Sequence, residues 1–146
     1  MIAQTIQLAL APVFMLVAIG NILNLLSTRL SRIVDRARAL QERHTATSGA
    51  EHDAVVQEIR LVDRRISLVT TAIRLLVTSG LFVGLTVGFL FVEEMARVPL
   101  QLPAAGTFLV ALALLMFGLV LFLRETQISA AALRIPRDLL ELERDL

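Results

Sequence analysis

The stretch Leu75-Leu76-Val77-Thr78-Ser79-Gly80-Leu81-Phe82-Val83-Gly84-Leu85-Thr86-Val87-Gly88-Phe89-Leu90-Phe91-Val92 decides the fold. It is an uncharged apolar run long enough, at about 27 Å as a helix, to cross the hydrocarbon core of a bilayer. It also forms the upper half of a longer helical pattern, Glu51 to Met95, that starts in water and ends in lipid. Gly80, Gly84 and Gly88 recur every fourth residue and so share one helix face. In a soluble helix each would cost about 1 kcal/mol against alanine. In lipid such small residues let backbones approach closely, which is what joins membrane helices. The ridge therefore packs either within the chain or between subunits.

Working outward, the lower half of the same pattern carries Val55, Ile59, Val62, Ile66, Val69, Ile73 and Leu76, alternating by four and three. That is a heptad seam running into Gly80. Ser48-x-x-Glu51 reads as a capping box opening this helix. Before it, residues 45–50 form a turn, and Leu26, Leu30, Ile33, Ala37 and Leu40 supply a facing stripe. Two helices joined by a short turn pack antiparallel, so residues 28–74 are expected to form a helical hairpin projecting from the membrane. Asp35 and Glu42 are expected to pair locally with the arginines of the first arm.

Two further spans complete the chain. Residues 6–26 form the first, with Pro12 in its opening turns. It lacks the basic start of a secretory signal and is read as a retained helix. Residues 105–123 form the third, with Pro99 and Pro103 stopping helix in the connection before it. The tail, 124–146, has a weak amphipathic pattern restarting at Pro136, with Leu139, Leu140, Leu142 and Leu146 suited to a short surface helix. The whole is a single all-α integral membrane domain.

Composition agrees. Hydrophobic residues make up 56% of the 146 and the mean hydropathy is +0.75. There is no cysteine, so disulfides and thiolate metal sites are excluded. The net charge of +1 argues against nucleic acid as a partner. Every basic residue is arginine, and most flank the hairpin and tail. Only Arg97 lies between spans two and three, and none precedes span one. This bias places hairpin and tail in the cytoplasm and the N-terminus outside.

The run Ala11-Pro12-Val-Phe-Met-Leu-Val-Ala-Ile-Gly20, then Leu25 through Arg29-Leu30-x-Arg32-Ile-x-Asp35-Arg36-x-Arg38, resembles a family of small bacterial membrane proteins, domain-of-unknown-function family 2721. Asp63-Arg64-Arg65-Ile66 with Ala72-Ile73 fits the same pattern. The resemblance covers essentially the whole chain. It implies a bacterial inner-membrane protein with three spans, and it carries no catalytic or binding residue.

Several constellations are candidates for function. Asn21, Asn24, Thr28, Ser31 and Asp35 fall on one face of the first helix. Arg74 lies at similar depth on the second, among Asp63, Ser67, Thr70 and Thr78. Polar groups at this depth face protein or water, so the two lines meet in interhelical hydrogen bonds or line an aqueous axis. Arg29, Arg32 and Arg36 form a cluster suited to anionic lipid or to an anion vestibule. His44 and His52 flank the turn beside Glu51 and Asp53, most simply as solvated side chains rather than metal ligands. Glu93-Glu94 marks the outer end of span two. Enzyme signatures are missing, with no G-x-S-x-G, H-E-x-x-H or phosphate-cradling loop, and no cofactor or metal is expected. Two readings follow. The first is a homo-oligomeric pore or channel joined through the glycine ridge. The alternative is a non-conducting scaffold or accessory subunit whose hairpin docks a protein partner.

Overall fold

The computed structural model describes residues 2–132, and these form three helices. α1 spans Ile2–Ala46, α2 spans Ala50–Ala96 and α3 spans Gln101–Ala132. Each contains a stretch apolar and long enough to cross a membrane. Little of those stretches is buried inside the protein, and many large apolar side chains, Phe14, Leu81, Leu109 and Phe117 among them, face outward. In water such a surface would be a liability; in lipid it is the matching solvent. α2 is the spine: α1 packs along its whole length and α3 along its upper half, while α1 and α3 scarcely touch.

The core follows one rule, a buried residue every seventh position. On α1 these are Thr5, Pro12, Ile19, Leu26, Ile33 and Leu40. On α2 they are Val55, Val62, Val69, Leu76 and Val83. On α3 they are Ala104, Ala111, Gly118 and Glu125. A strict seven-residue repeat keeps one seam facing its partner along a left-handed supercoil. The hairpin of two long arms joined by a tight turn is therefore continuous with the membrane core.

The ends of the helices depart from their local sequence signals more than the seven-residue period does. Ser48 does not cap α2. The N-cap is Gly49, at φ 69°, with no side-chain cap. That left-handed residue delays the helix start past the reach of the Ser48 hydroxyl, and Glu51 instead meets Arg43 at 3.5 Å. The turn shortens to 47–49, where Thr45 and Thr47 donate to the Glu42 and Arg43 carbonyls at 2.8 and 3.0 Å. These bonds fold two hydroxyls back onto the last turns of α1.

The two prolines behave oppositely to expectation. Pro12 sits well inside α1, because that helix already begins at Ile2. Pro103 stops nothing and lies in the first turn of α3, where an amide has no intrahelical partner to lose. α2 ends instead at Arg97, in the left-handed conformation, two residues before Pro99. α3 runs past residue 123 to Ala132. The surface-helix expectation for Leu139 to Leu146 lies outside the described residues.

Candidate functional site

On the facing sides of α1 and α2 a second heptad position turns toward the groove that α3 enters. Its layers can be followed from the turn inward. Arg43 meets Glu51 at 3.5 Å, and seven residues on Arg36 grips Glu58 through Nε at 2.8 Å and Nη2 at 2.5 Å. Seven further, the pattern breaks: Arg29 on α1 faces Arg65 on α2, like against like. The counter-charge comes from α3. Glu125 lies between them with a fully buried side chain.

Every oxygen of that carboxylate is engaged. Arg29 Nη1 donates to Oε2 at 2.6 Å. Arg65 donates to Oε1 through Nε and Nη2 at 3.2 and 3.0 Å. Ser129, one turn further along α3, donates to Oε1 at 2.6 Å. Arg29 also donates to Thr126 Oγ1 at 3.0 Å and lies 5.2 Å from the Phe122 ring centroid. A carboxylate so deeply buried is costly unless charge-paired and hydrogen-bonded, and here it is both. The cluster ties all three helices together at one level, with one positive charge in excess.

The depth of this level follows from helix rise. Gln101 to Glu125 is about 36 Å along the axis, against about 30 Å of hydrocarbon in a bilayer. The cluster thus sits at the headgroup layer of the hairpin end. At the other end Thr5 donates to Glu94 Oε2 at 3.2 Å.

Between these ends the α2–α3 contact is built from small and hydroxylated residues. Ser79, fully buried, donates to the Ala111 carbonyl at 2.7 Å, and Thr86 bonds Thr107 at 2.8 Å. A Cβ on Gly118 would stand 3.2 Å from Leu76 Cγ and 3.5 Å from the Ala72 carbonyl oxygen, so the helices nearly touch there.

The expected site residues are distributed differently. A Cβ on Gly80 would stand 3.8 Å from Leu16 Cδ2, an ordinary contact, but Gly84 and Gly88 open onto empty space. Packing within the chain therefore accounts for only the first glycine of the ridge. Asn21, Asn24, Thr28, Ser31 and Asp35 do share a face, and all are exposed on the side of α1 turned away from α2. Thr28 donates only to the Asn24 carbonyl, at 3.0 Å. Arg74 is exposed on the outer face of α2, and no hydrogen bond joins it to the α1 line. The interhelical pairing of Asn24 with Arg74 is not formed, because each points away from the seam. The arginine cluster also divides: Arg29 and Arg36 are consumed by Glu125 and Glu58, and Arg32 stays exposed. Asp35 and Glu42 are not the partners of these arginines; acids of α2 and α3 are. The rings of His44 and His52 meet at 4.4 Å between centroids, tilted by 53°, and among the described residues no group of three potential ligands surrounds a metal position.

Glu125, Arg65, Ser129, Ser79 and Gly118 are not among the site residues expected from the sequence. The signal was present: Ala104, Ala111, Gly118 and Glu125 are spaced by sevens, and Arg43, Arg36 and Arg29 face Glu51, Glu58 and Arg65 in matching steps. The mismatch at the third step calls for an acid from elsewhere.

Three apolar helices locked by an ion cluster at one end define a small three-span membrane protein. The chain belongs to the family described as "Protein of unknown function (DUF2721)", whose model matches residues 9–135. No curated protein and no solved structure matches it.

Proposed function

We propose that this is a non-enzymatic protein of the bacterial inner membrane that assembles with copies of itself into a pore, its hairpin in the cytoplasm and its N-terminus outside. The arginine bias supports the orientation. One observation carries the assembly: the side-chain amides of Asn21 and Asn24 are exposed near the hairpin-side edge of the first span and bond to nothing among the described residues. An unsatisfied amide in lipid costs several kcal/mol, of order 2–7 kcal/mol on transfer scales. A neighbouring copy or an aqueous axis removes that cost. The stripe continues through Thr28, Ser31 and Asp35 to the hairpin, as a path open to water would require. Gly84 and Gly88 offer a second copy a close approach.

The absence of native cysteine makes the test direct. Single cysteines replacing Asn21, Asn24, Thr28 or Ser31 should react with a charged, membrane-impermeant thiol reagent from the hairpin side. Vesicles holding the protein should pass ions, and Asn21→Leu with Asn24→Leu should abolish the flux. Protein that stays monomeric in bilayers, or cysteines that stay unreactive, would end the pore reading.

A scaffold reading has its own support. A groove of about 770 Å³ on the hairpin, lined by Arg36, Glu58, Leu61, Val62, Arg65 and Ser129, continues the line of α3 beyond the ion cluster and suits a helix from a protein partner. Oligomers that conduct nothing, yet lose a bound protein when Leu61→Glu is introduced, would favour it.

A further inference from the structure

The level that holds Glu125 repeats its problem on the outside. Arg64 and Arg124 stand one residue from Arg65 and Glu125, and both line a single groove between α2 and α3 of about 360 Å³. Arg29 and Arg65 share a carboxylate; these two share none among the described residues. Both are exposed, and neither has an ion pair or a side-chain hydrogen bond among the described residues. The remaining lining is Leu68, Gln127, Ile128 and Ala131. Leu68 lies one turn above Arg64 on the membrane side, so an apolar wall rises from between two guanidiniums.

We infer that this groove is a binding site for an anionic phospholipid, its phosphate held between Arg64 and Arg124 and its first acyl carbons against Leu68. Three features support the assignment. The chemistry fits, because planar guanidiniums bind phosphate oxygens in pairs. The depth fits, because Gln101 to Arg124 spans about 35 Å and carries the pair just beyond the hydrocarbon. The supply fits, because a bilayer delivers its lipids at this level without a search. The lipid contact thereby moves from the arginines of α1, two of which already hold carboxylates, to a pair with no carboxylate among the described residues. The inference rests on the three-span membrane reading and not on conduction.

The experiment uses the full chain in nanodiscs of phosphatidylcholine with a minor fraction of phosphatidylglycerol, followed by native mass spectrometry of retained lipid. Wild-type protein should retain phosphatidylglycerol in preference. An arginine near an anionic surface contributes about a fivefold factor, so R64Q/R124Q should weaken retention roughly thirtyfold. R32Q/R38Q, which removes as much charge from α1, should change it less than about twofold. Helicity of R64Q/R124Q should match wild type, since neither side chain supports the fold. Equal retention by R64Q/R124Q and wild type would overturn the site. So would an equal loss in R32Q/R38Q, which would reduce the effect to net charge. Displacement of the lipid by millimolar inorganic phosphate would make the ligand a free anion and overturn the lipid assignment.

Discussion

The two halves of α2 use the same heptad position for opposite chemistry. Below the headgroup level the residues turned toward the third-helix groove are Glu51, Glu58 and Arg65. Above it they are Ala72, Ser79 and Thr86. α1 changes in step, from Arg43, Arg36 and Arg29 to Ile22, Met15 and Leu8. In water the seam can bury valine and leucine, and paired charges set its register. In lipid the hydrophobic effect between helices is absent, so close approach and hydroxyl-to-carbonyl bonds replace it. The repeat is indifferent to the solvent; the side chains placed on it are not. Glu125 sits where the two regimes meet, the only level at which all three helices contribute charge or hydrogen bonds among the described residues.

The most severe way to break this arrangement is at that junction. Glu125→Leu leaves Arg29 and Arg65 facing each other with no counter-charge. Removing one partner of a buried ion cluster costs about 3–5 kcal/mol. Detergent-micelle unfolding should register a loss of that size, and Glu125→Asp should recover part of it. A loss under about 1 kcal/mol would mean that the cluster is solvated and that the three helices are joined elsewhere.

A smaller effect is expected where α3 comes closest in lipid. Gly118→Ala places a methyl group against Leu76 and the Ala72 carbonyl. Overpacking of this kind costs about 1–3 kcal/mol. Gly84→Ala meets nothing within 4 Å and should leave the stability of the protomer unchanged. If the two glycines behaved alike, the contrast between an inner and an outer small-residue face would be wrong. Any change in oligomer size with Gly84→Leu, by contrast, would show that the outer face is in use.

These residues also show how far the chain could be read in advance. The spans were legible because lipid demands long uncharged runs, and that demand leaves few alternatives. The seam from Val55 to Leu76 was legible because apolar and polar residues alternate along it. α3 hid its seam, since nearly every residue from Ala104 to Leu123 is apolar and no polar contrast marks the buried face. Only the small size of Ala104, Ala111 and Gly118 carried the phase. In sequence, Glu125 next to Arg124 is an ordinary charged flank after an apolar run, because burial of a charge becomes visible only when the neighbouring helices are brought alongside. The glycine ridge stayed open for a related reason: spacing gives a shared face, but not which neighbour that face meets.

Within the lipid half, Ser79→Ala removes the 2.7 Å bond to the Ala111 carbonyl. Hydrogen bonds between membrane helices average about 0.6 kcal/mol and reach about 1.7 kcal/mol. A loss in that range, with helicity intact, is expected. A larger one would mean that the hydroxyl, rather than close packing, holds α3 on α2.

The smallest effect is expected in the hairpin, and it tests the comparison most sharply. Arg36 and Glu58 make a bonded pair as short as the one at Glu125, at 2.5 Å, yet their side chains are 51% and 39% exposed. Water screens such a pair, and exposed ion pairs yield about 0.2–1 kcal/mol in double-mutant cycles. A cycle of Arg36→Ala with Glu58→Ala should return a coupling in that range. The coupling should fade as salt shortens the screening length from about 10 Å at 0.1 M toward about 3 Å at 1 M. The same cycle on Arg65 and Glu125 should return several-fold more and lose little in salt, because Glu125 is sealed from solvent. Two arginine–glutamate pairs one heptad layer apart would then differ chiefly through burial and the further partners that burial gathers around Glu125. Equal couplings with equal salt dependence would leave burial without energetic consequence, and the division of α2 into two regimes would lose its physical basis.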